Sequence, residues 1–153
     1  MFKGPERILV DSSFFFALFD PEDDCHNKAL KEQDKLDKFP IIVPWPILYE
    51  TINSKFVKSP ATIKGFENII RQPNTKLLDD SEYRNEAYQE TLALAKRGYK
   101  RGYGAISLVD SVLHAILKDV NVPISAMLTF DYRDFVPICA SRNIEVLSLD
   151  SSF

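Results

Sequence analysis

Arg7-Ile8-Leu9-Val10-Asp11-Ser12-Ser13-Phe14-Phe15-Phe16 runs from a short apolar segment into a second one, with an acid at the join. Residues 6–10 read as a buried strand, bounded by Pro5 and Asp11. Ser12 to Phe19 reads as a helix capped by Asp11 or Ser12, and three consecutive phenylalanines suit a helix buried on most sides. The same arrangement recurs down the chain. Glu50 closes Pro46-Ile47-Leu48-Tyr49-Glu50, just past the apolar run Ile41-Ile42-Val43. Asp110 ends Ser107-Leu108-Val109-Asp110, and Asp131 follows Ala126-Met127-Leu128-Thr129-Phe130. Alternating strand–helix chains hold their sites in the crevice at the carboxyl ends of the strands, so acids in these positions can converge. Convergent carboxylates repel and need a cation. An all-oxygen donor set suits Mg²⁺ or Mn²⁺.

The remaining segments extend the alternation. Asp20-Pro21-Glu22-Asp23-Asp24 is a turn, followed by a polar helix over residues 24–37 with Ala29, Leu30 and Leu36 inward. Ile41 to Val43 is the second strand. Pro44-Trp45-Pro46 stops it and opens a helix near residues 47–57. Ser59-Pro60 starts another helix to residue 71, and Thr75 to Leu78 is a third strand. Asp80-Ser81-Glu82 caps a long helix reaching Arg97. Residues 108–119 are amphipathic, and strands are expected over Ala126–Phe130 and Ile144–Leu149. Five short strands separated by helices imply a single α/β domain over residues 1–153, a three-layer sandwich around a mainly parallel five-stranded sheet.

Composition bounds the rest. A chain of 153 residues holds one domain with a real core. Its 45% hydrophobic and 27% charged content is ordinary for a globular protein. The net charge of −3 does not advertise a nucleic-acid binder, but an acidic metal site lowers net charge while a local basic strip still holds phosphates. Cys25 and Cys139 belong to no Cys/His cluster, so neither zinc nor a disulfide framework is implied. No apolar run approaches the ~18–20 residues of a membrane helix, and the first residues lack the apolar stretch of a signal peptide. A cytoplasmic protein without membrane attachment is the expectation.

Each acid also has a local structural reading. Asp11 can cap the helix that follows it. Ser107 and Asp110 match a capping box, with Asp in place of the usual Glu or Gln. Glu50 can favour the dipole of its own helix, and Asp131 and Asp134 can be turn residues. What sets these readings apart from a shared site is topology, which would bring all four positions to one edge of the sheet. His114, four residues after Asp110, shares its helix face and reads as a packing residue, with a metal ligand as the alternative; His26 reads as a helix-surface residue. No Gly-rich phosphate loop or nucleophile elbow is present.

Val10-Asp11-Ser12-Ser13, Val43-Pro44-Trp45-Pro46-Ile47-Leu48-Tyr49-Glu50, Ser107-Leu108-Val109-Asp110-Ser111-Val112-Leu113-His114-Ala115 and Leu128-Thr129-Phe130-Asp131-Tyr132-Arg133-Asp134-Phe135 resemble, in order and spacing, the four motifs of PIN domains. The resemblance spans roughly residues 7–149 and is nearest to the single-domain VapC-like toxins of toxin–antitoxin pairs. It implies a PIN-like parallel sheet and a Mg²⁺- or Mn²⁺-dependent endoribonuclease. It assigns metal binding to Asp11, Glu50, Asp110 and Asp131, with Asp134 as the alternative to Asp131, and a supporting role to Ser12 and Thr129. An antitoxin protein and a homodimer are the partners it implies, beside RNA. Lys96, Arg97, Lys100 and Arg101 are candidates for RNA phosphates, and Tyr99 or Tyr103 for base stacking; a solvated helix end reads the basic strip equally well.

Two other classes compete. A dehalogenase-type phosphatase wants a second Asp two residues after the first, where Ser13 stands, and a receiver domain wants a Lys after the last strand, where Leu149-Asp150 stands. A non-catalytic interaction protein that keeps the fold is the third possibility, and absence of divalent-ion binding would mark it.

Overall fold

The structure, a computed structural model, describes residues 7–98 and 106–149. Its sheet is built from β1 (Arg7–Val10), β2 (Ile41–Pro44), β3 (Thr75–Leu78), β4 (Ile124–Leu128) and β5 (Glu145–Val146). The strand order is β3-β2-β1-β4-β5, and every pairing is parallel. β1 and β2 are short continuous apolar runs because both of their faces are covered. Eight helices accompany them among the described residues: α1 (Ser12–Phe19), α2 (His26–Glu32), α3 (Lys35–Lys38), α4 (Trp45–Thr51), α5 (Pro60–Ile70), α6 (Ser81–Arg97), α7 (Leu108–Lys118) and α8 (Tyr132–Ser141). The chain winds from β1 out to β3, then returns across β1 to β4 and β5. Right-handed crossovers therefore place α1–α5 on one face and α6–α8 on the other, which gives three layers.

One core joins the layers. Ile8, Leu9, Ile41, Ile42, Ala126 and Met127 are fully buried in the sheet, with Phe14, Phe15 and Ile47 on one side and Leu113, Ile116 and Phe135 on the other. The phenylalanines of α1 meet Phe56 and Phe66 edge to face; Phe15 and Phe66 have ring centroids 4.9 Å apart. At Gly65, α5 comes close to the Phe19 ring of α1. A Cβ there would stand 2.8 Å from Cε1 of Phe19, so the ring would have to move.

Several expected boundaries move for local reasons. The polar helix over residues 24–37 is two helices, α2 and α3, interrupted at Gln33 and Asp34; Ala29 and Leu36 are buried, while Leu30 is exposed. The helix expected to reach residue 57 stops at Thr51. The Asn53 side chain there accepts the backbone N–H groups of Lys55 and Phe56 and turns the chain into a short 3-10 turn at Phe56–Lys58. β4 lies two residues earlier than expected, and β5 is only two residues long. At Thr129 the backbone N–H leaves the ladder and bonds the Ser148 hydroxyl.

Candidate active site

The strand order reverses between β1 and β4, whose carboxyl ends sit side by side with Val10 opposite Leu128. This is the switch-point crevice where parallel α/β sheets hold ligands. Asp11 is the first residue beyond β1. Its N–H donates to the Leu128 carbonyl at 3.0 Å, which holds it against the end of β4.

Only 4% of Asp11 is exposed, and its carboxylate is not left bare. Ser13 Oγ and Thr129 Oγ1 both donate to Asp11 Oδ2, at 2.7 and 2.9 Å. The two hydroxyls accept in turn: Ser13 Oγ from the N–H of Phe130, and Thr129 Oγ1 from the N–H of Asp131, each at 3.0 Å. A buried acid therefore ties the loop after β1 to the loop after β4. Ser148, beyond β5, donates to the Thr129 carbonyl, and the Tyr132 hydroxyl donates to the Ser148 carbonyl at 2.6 Å. Burial raises the pKa of Asp11 above the ordinary carboxylate value, against the lowering effect of the Ser13 and Thr129 bonds.

The other acids face the same crevice. Asp110 stands in the first turn of α7. Ser107 Oγ accepts its backbone N–H at 3.1 Å, so the forward bond of the capping box is present. The cap does not exhaust the residue. The Asp110 carboxyl is raised by burial, then by the charges of Asp11 and Asp134, while Ser107 opposes the rise. Asp131 occupies the N-cap position of α8 but makes no side-chain cap bond. Its carboxyl is pushed up to about 7 by burial first, then by the charge and hydrogen bond of Asp134 and by Asp110 and Asp11. Oxygens of Asp110, Asp131 and Asp134 all lie within 4.8 Å of one another. Glu50 is an exposed rim residue on α4, raised by partial desolvation and then by Asp11 and Asp110, with the Ser12 hydroxyl opposing.

The five acids thus form one electrostatic group at one edge of the sheet. The compact oxygen triad within it is Asp110, Asp131 and Asp134, with Asp11 buried behind and Glu50 at the rim. The half-buried, all-oxygen donors fit a hard divalent cation, and nothing in the triad offers sulfur or imidazole to zinc.

The remaining candidates separate clearly. Ser12 serves Glu50, and Thr129 serves Asp11. Ser13, Tyr132 and Ser148 escaped sequence reasoning. Ser13 had a signal, as the second hydroxyl after a strand-end acid; Ser148 depends on the β4–β5 register and had none. His114 Nε2 donates to the Asp134 carbonyl at 2.6 Å, and its ring meets Phe135 edge-on, so it packs and holds backbone rather than standing in the oxygen triad. His26 is not a simple surface residue, because its Nδ1 donates to the Ala17 carbonyl at 2.7 Å and joins α2 to α1. Lys96 and Arg97 are exposed in the last turn of α6. That helix runs antiparallel to α7, with Tyr83 bonded to Asp119 and Thr91 to Ser111, so its basic end lies at the Asp110 end of the pair. Tyr99, Lys100, Arg101 and Tyr103 lie outside the described residues.

No protein-family model and no curated protein sequence matches this chain. Among solved structures it is similar to VapC20 of Mycobacterium tuberculosis, a toxin that cleaves the sarcin–ricin loop. That match has a TM-score of 0.59 and 18% identity, and it covers 85% of this chain and 94% of the other. The fold is therefore the PIN fold: a five-stranded parallel sheet between helical layers. No helix among the described residues is long and apolar enough to cross a membrane.

Proposed function

We propose that this protein is a divalent-metal-dependent endoribonuclease that hydrolyses RNA phosphodiester bonds, acting as the toxin of a toxin–antitoxin pair. The observation that carries the reading is the oxygen triad Asp110–Asp131–Asp134 at the β1/β4 switch point, beside buried Asp11. Carboxyls raised by burial and by one another are poor neighbours without a cation and good ligands with one. The fold shared with a toxin that cleaves the sarcin–ricin loop supports RNA as the polymer. An inhibitory antitoxin protein and a homodimer belong to the same reading.

Asp110, Asp131 and Asp134 would hold Mg²⁺ or Mn²⁺, with Asp11 as a further ligand. A divalent ion, when bound, lowers the pKa of a water and offsets charge on the scissile phosphate. Ser13 and Thr129 fix Asp11 so that one of its oxygens is committed to the fold. Glu50, at the rim and raised in pKa, would ligate or accept a proton from the attacking water. Among the described residues, the hydroxyls nearest the acids, Ser13 and Thr129, are spent on holding Asp11, so direct hydrolysis is the reaction class. Lys96 and Arg97 at the α6 end would hold RNA phosphates.

The test is cleavage of single-stranded RNA by the purified protein with Mg²⁺ or Mn²⁺. Cutting should stop in EDTA and in both Asp11→Asn and Asp110→Asn. Cutting that continues undiminished in EDTA, or in both variants, removes this chemistry.

A further inference from the structure

The faces of α7 and α8 that carry the acids continue past them into a cleft that the metal reading leaves unused. On α7, His114 lies one turn beyond Asp110; on α8, Pro137, Ile138 and Ser141 follow Asp134 at spacings of three, four and seven residues. His114, Arg133, Asp134, Pro137 and Ile138, with Ile106 just before α7, line a cavity of about 460 Å³ between the two helices. That size falls within the roughly 300–1,000 Å³ of small-molecule sites. Asp134 belongs to both the triad and the cavity wall, so the two are continuous.

The lining is chemically uneven. Ile106, Pro137 and Ile138 present aliphatic surface. His114 adds a flat ring fixed in place by its bond to the Asp134 carbonyl and by Phe135. Asp134 and the exposed Arg133 are the charged groups. Aliphatic walls beside one fixed planar ring, one acceptor carboxylate and one cation suit a heterocyclic base attached to a phosphate. They suit an aliphatic chain poorly, since it would have nothing to offer the polar end.

We infer that this α7–α8 cleft binds the base of a nucleotide next to the scissile phosphate, with Arg133 facing the attached phosphate. The inference rests on the nuclease reading, because it takes the occupant to be part of the RNA being cut. It makes the cleft a specificity determinant: the strand would enter with one base held beside His114 and Ile138 and its phosphodiester presented to the acids.

The experiment measures binding of AMP, GMP, CMP and UMP to the metal-free protein in EDTA, by amide and side-chain NMR shifts, with ribose 5-phosphate as the control lacking a base. At least one nucleotide should bind and shift Ile138, His114 and Ser141 resonances, and ribose 5-phosphate should bind at least about tenfold more weakly. Ile138→Trp, which fills the cleft, should weaken nucleotide binding by about tenfold or more. Ser141→Tyr, at an exposed position at the far end, repeats the test if Ile138→Trp does not fold. Asp23→Asn, in the turn between α1 and α2, should bind nucleotides as the wild type does. Equal binding of ribose 5-phosphate, shifts confined to other surfaces, or no nucleotide binding at millimolar concentration would each overturn the inference. So would unchanged binding in a folded filling variant that instead loses affinity for a protein partner. Because the readout needs neither metal nor cleavage, failure here leaves the nuclease reading standing, and failure of RNA cleavage leaves nucleotide binding to be scored alone.

Discussion

The densest acidic stretch in this chain is not the one proposed to carry the chemistry. Asp20-Pro21-Glu22-Asp23-Asp24 puts four acids in five residues, whereas Asp11, Asp110 and Asp131 come from separate segments. Asp20 and Asp23 in that turn are occupied by local tasks. Asp20 Oδ1 accepts the Glu22 N–H at 3.0 Å, its other oxygen lies 3.6 Å from the Lys55 ammonium, and Asp23 accepts the Cys25 N–H at 2.8 Å. The crevice acids face one another instead, with burial as the first cause of their raised pKa values. Local density makes a turn, whereas topology makes a site, because a parallel sheet collects side chains from distant segments at its carboxyl edge.

The largest expected difference between the two regions is in cleavage. Asp11→Asn and Asp110→Asn should each lower the rate of RNA cutting by about 10²-fold or more, a loss typical of removing a ligand or its immediate support. Asp23→Asn should leave the rate within about twofold, since its oxygen serves only a turn. Initial rates on one oligonucleotide make the comparison, and equal losses in both regions would erase it.

Next in size is the support of Asp11. Thr129→Val keeps the shape but removes one donor to Oδ2 and the acceptor of the Asp131 N–H. Buried Asp11 and the half-buried Asp131 N–H each lose a bond, so the variant should be less stable by about 1–3 kcal/mol, read from denaturant melts. Ser81→Ala, which loses an exposed hydroxyl bond to Asp79, should cost under about 0.5 kcal/mol.

The pH dependence sets the crevice acids against three surface carboxylates elsewhere by sign. The folded pKa values of Asp11, Glu50, Asp110 and Asp131 lie above their ordinary values. A raised carboxyl gives its full relative stability below the unfolded pKa and loses it as pH climbs through the folded one. The metal-free protein should therefore lose stability between about pH 4 and the value of about 7 for Asp131. Asp34, Asp79 and Asp119, held down by Lys38, Ser81 and Tyr83 respectively, work in the opposite direction and only at the acid end of that range. Melts in EDTA from pH 4 to 8 should fall with rising pH in the wild type and fall less in Asp131→Asn. A flat profile, or equal slopes in both proteins, contradicts the shared electrostatics of the crevice.

Much of this was legible because the sequence carries it at element boundaries. An acid directly after Ile8-Leu9-Val10 and a Ser-Leu-Val-Asp helix start place Asp11 and Asp110 without any knowledge of contacts. Glu50 follows the same logic one helix later. What stayed hidden depended on geometry between segments. α8 gave little helical signal, since Pro137 interrupts it and removes a backbone donor. Without that helix, Asp131 and Asp134 read as alternatives in a turn. With it, Asp131 is the N-cap and Asp134 stands three residues on in the first turn, and their oxygens come together with that of Asp110. The role of Ser148 required the β4–β5 register, and the 3-10 turn after α4 required the Asn53 side chain to find two amides. The cleft between α7 and α8 required both helices at once.

The central claim is that these carboxylates converge on a divalent cation, and thermal melts of the wild type and Asp110→Asn test it most directly. In EDTA, removing one of several mutually repelling charges should stabilise the variant by ~0.5–2 kcal/mol, whereas loss of a charge-assisted cap alone would cost about 0.5–1 kcal/mol. In excess Mg²⁺ the wild type should gain stability by mass action, and the variant should gain less. A destabilised Asp110→Asn in EDTA, with neither melt moved by Mg²⁺, would mean that Asp110 is a helix cap and that the crevice holds no ion.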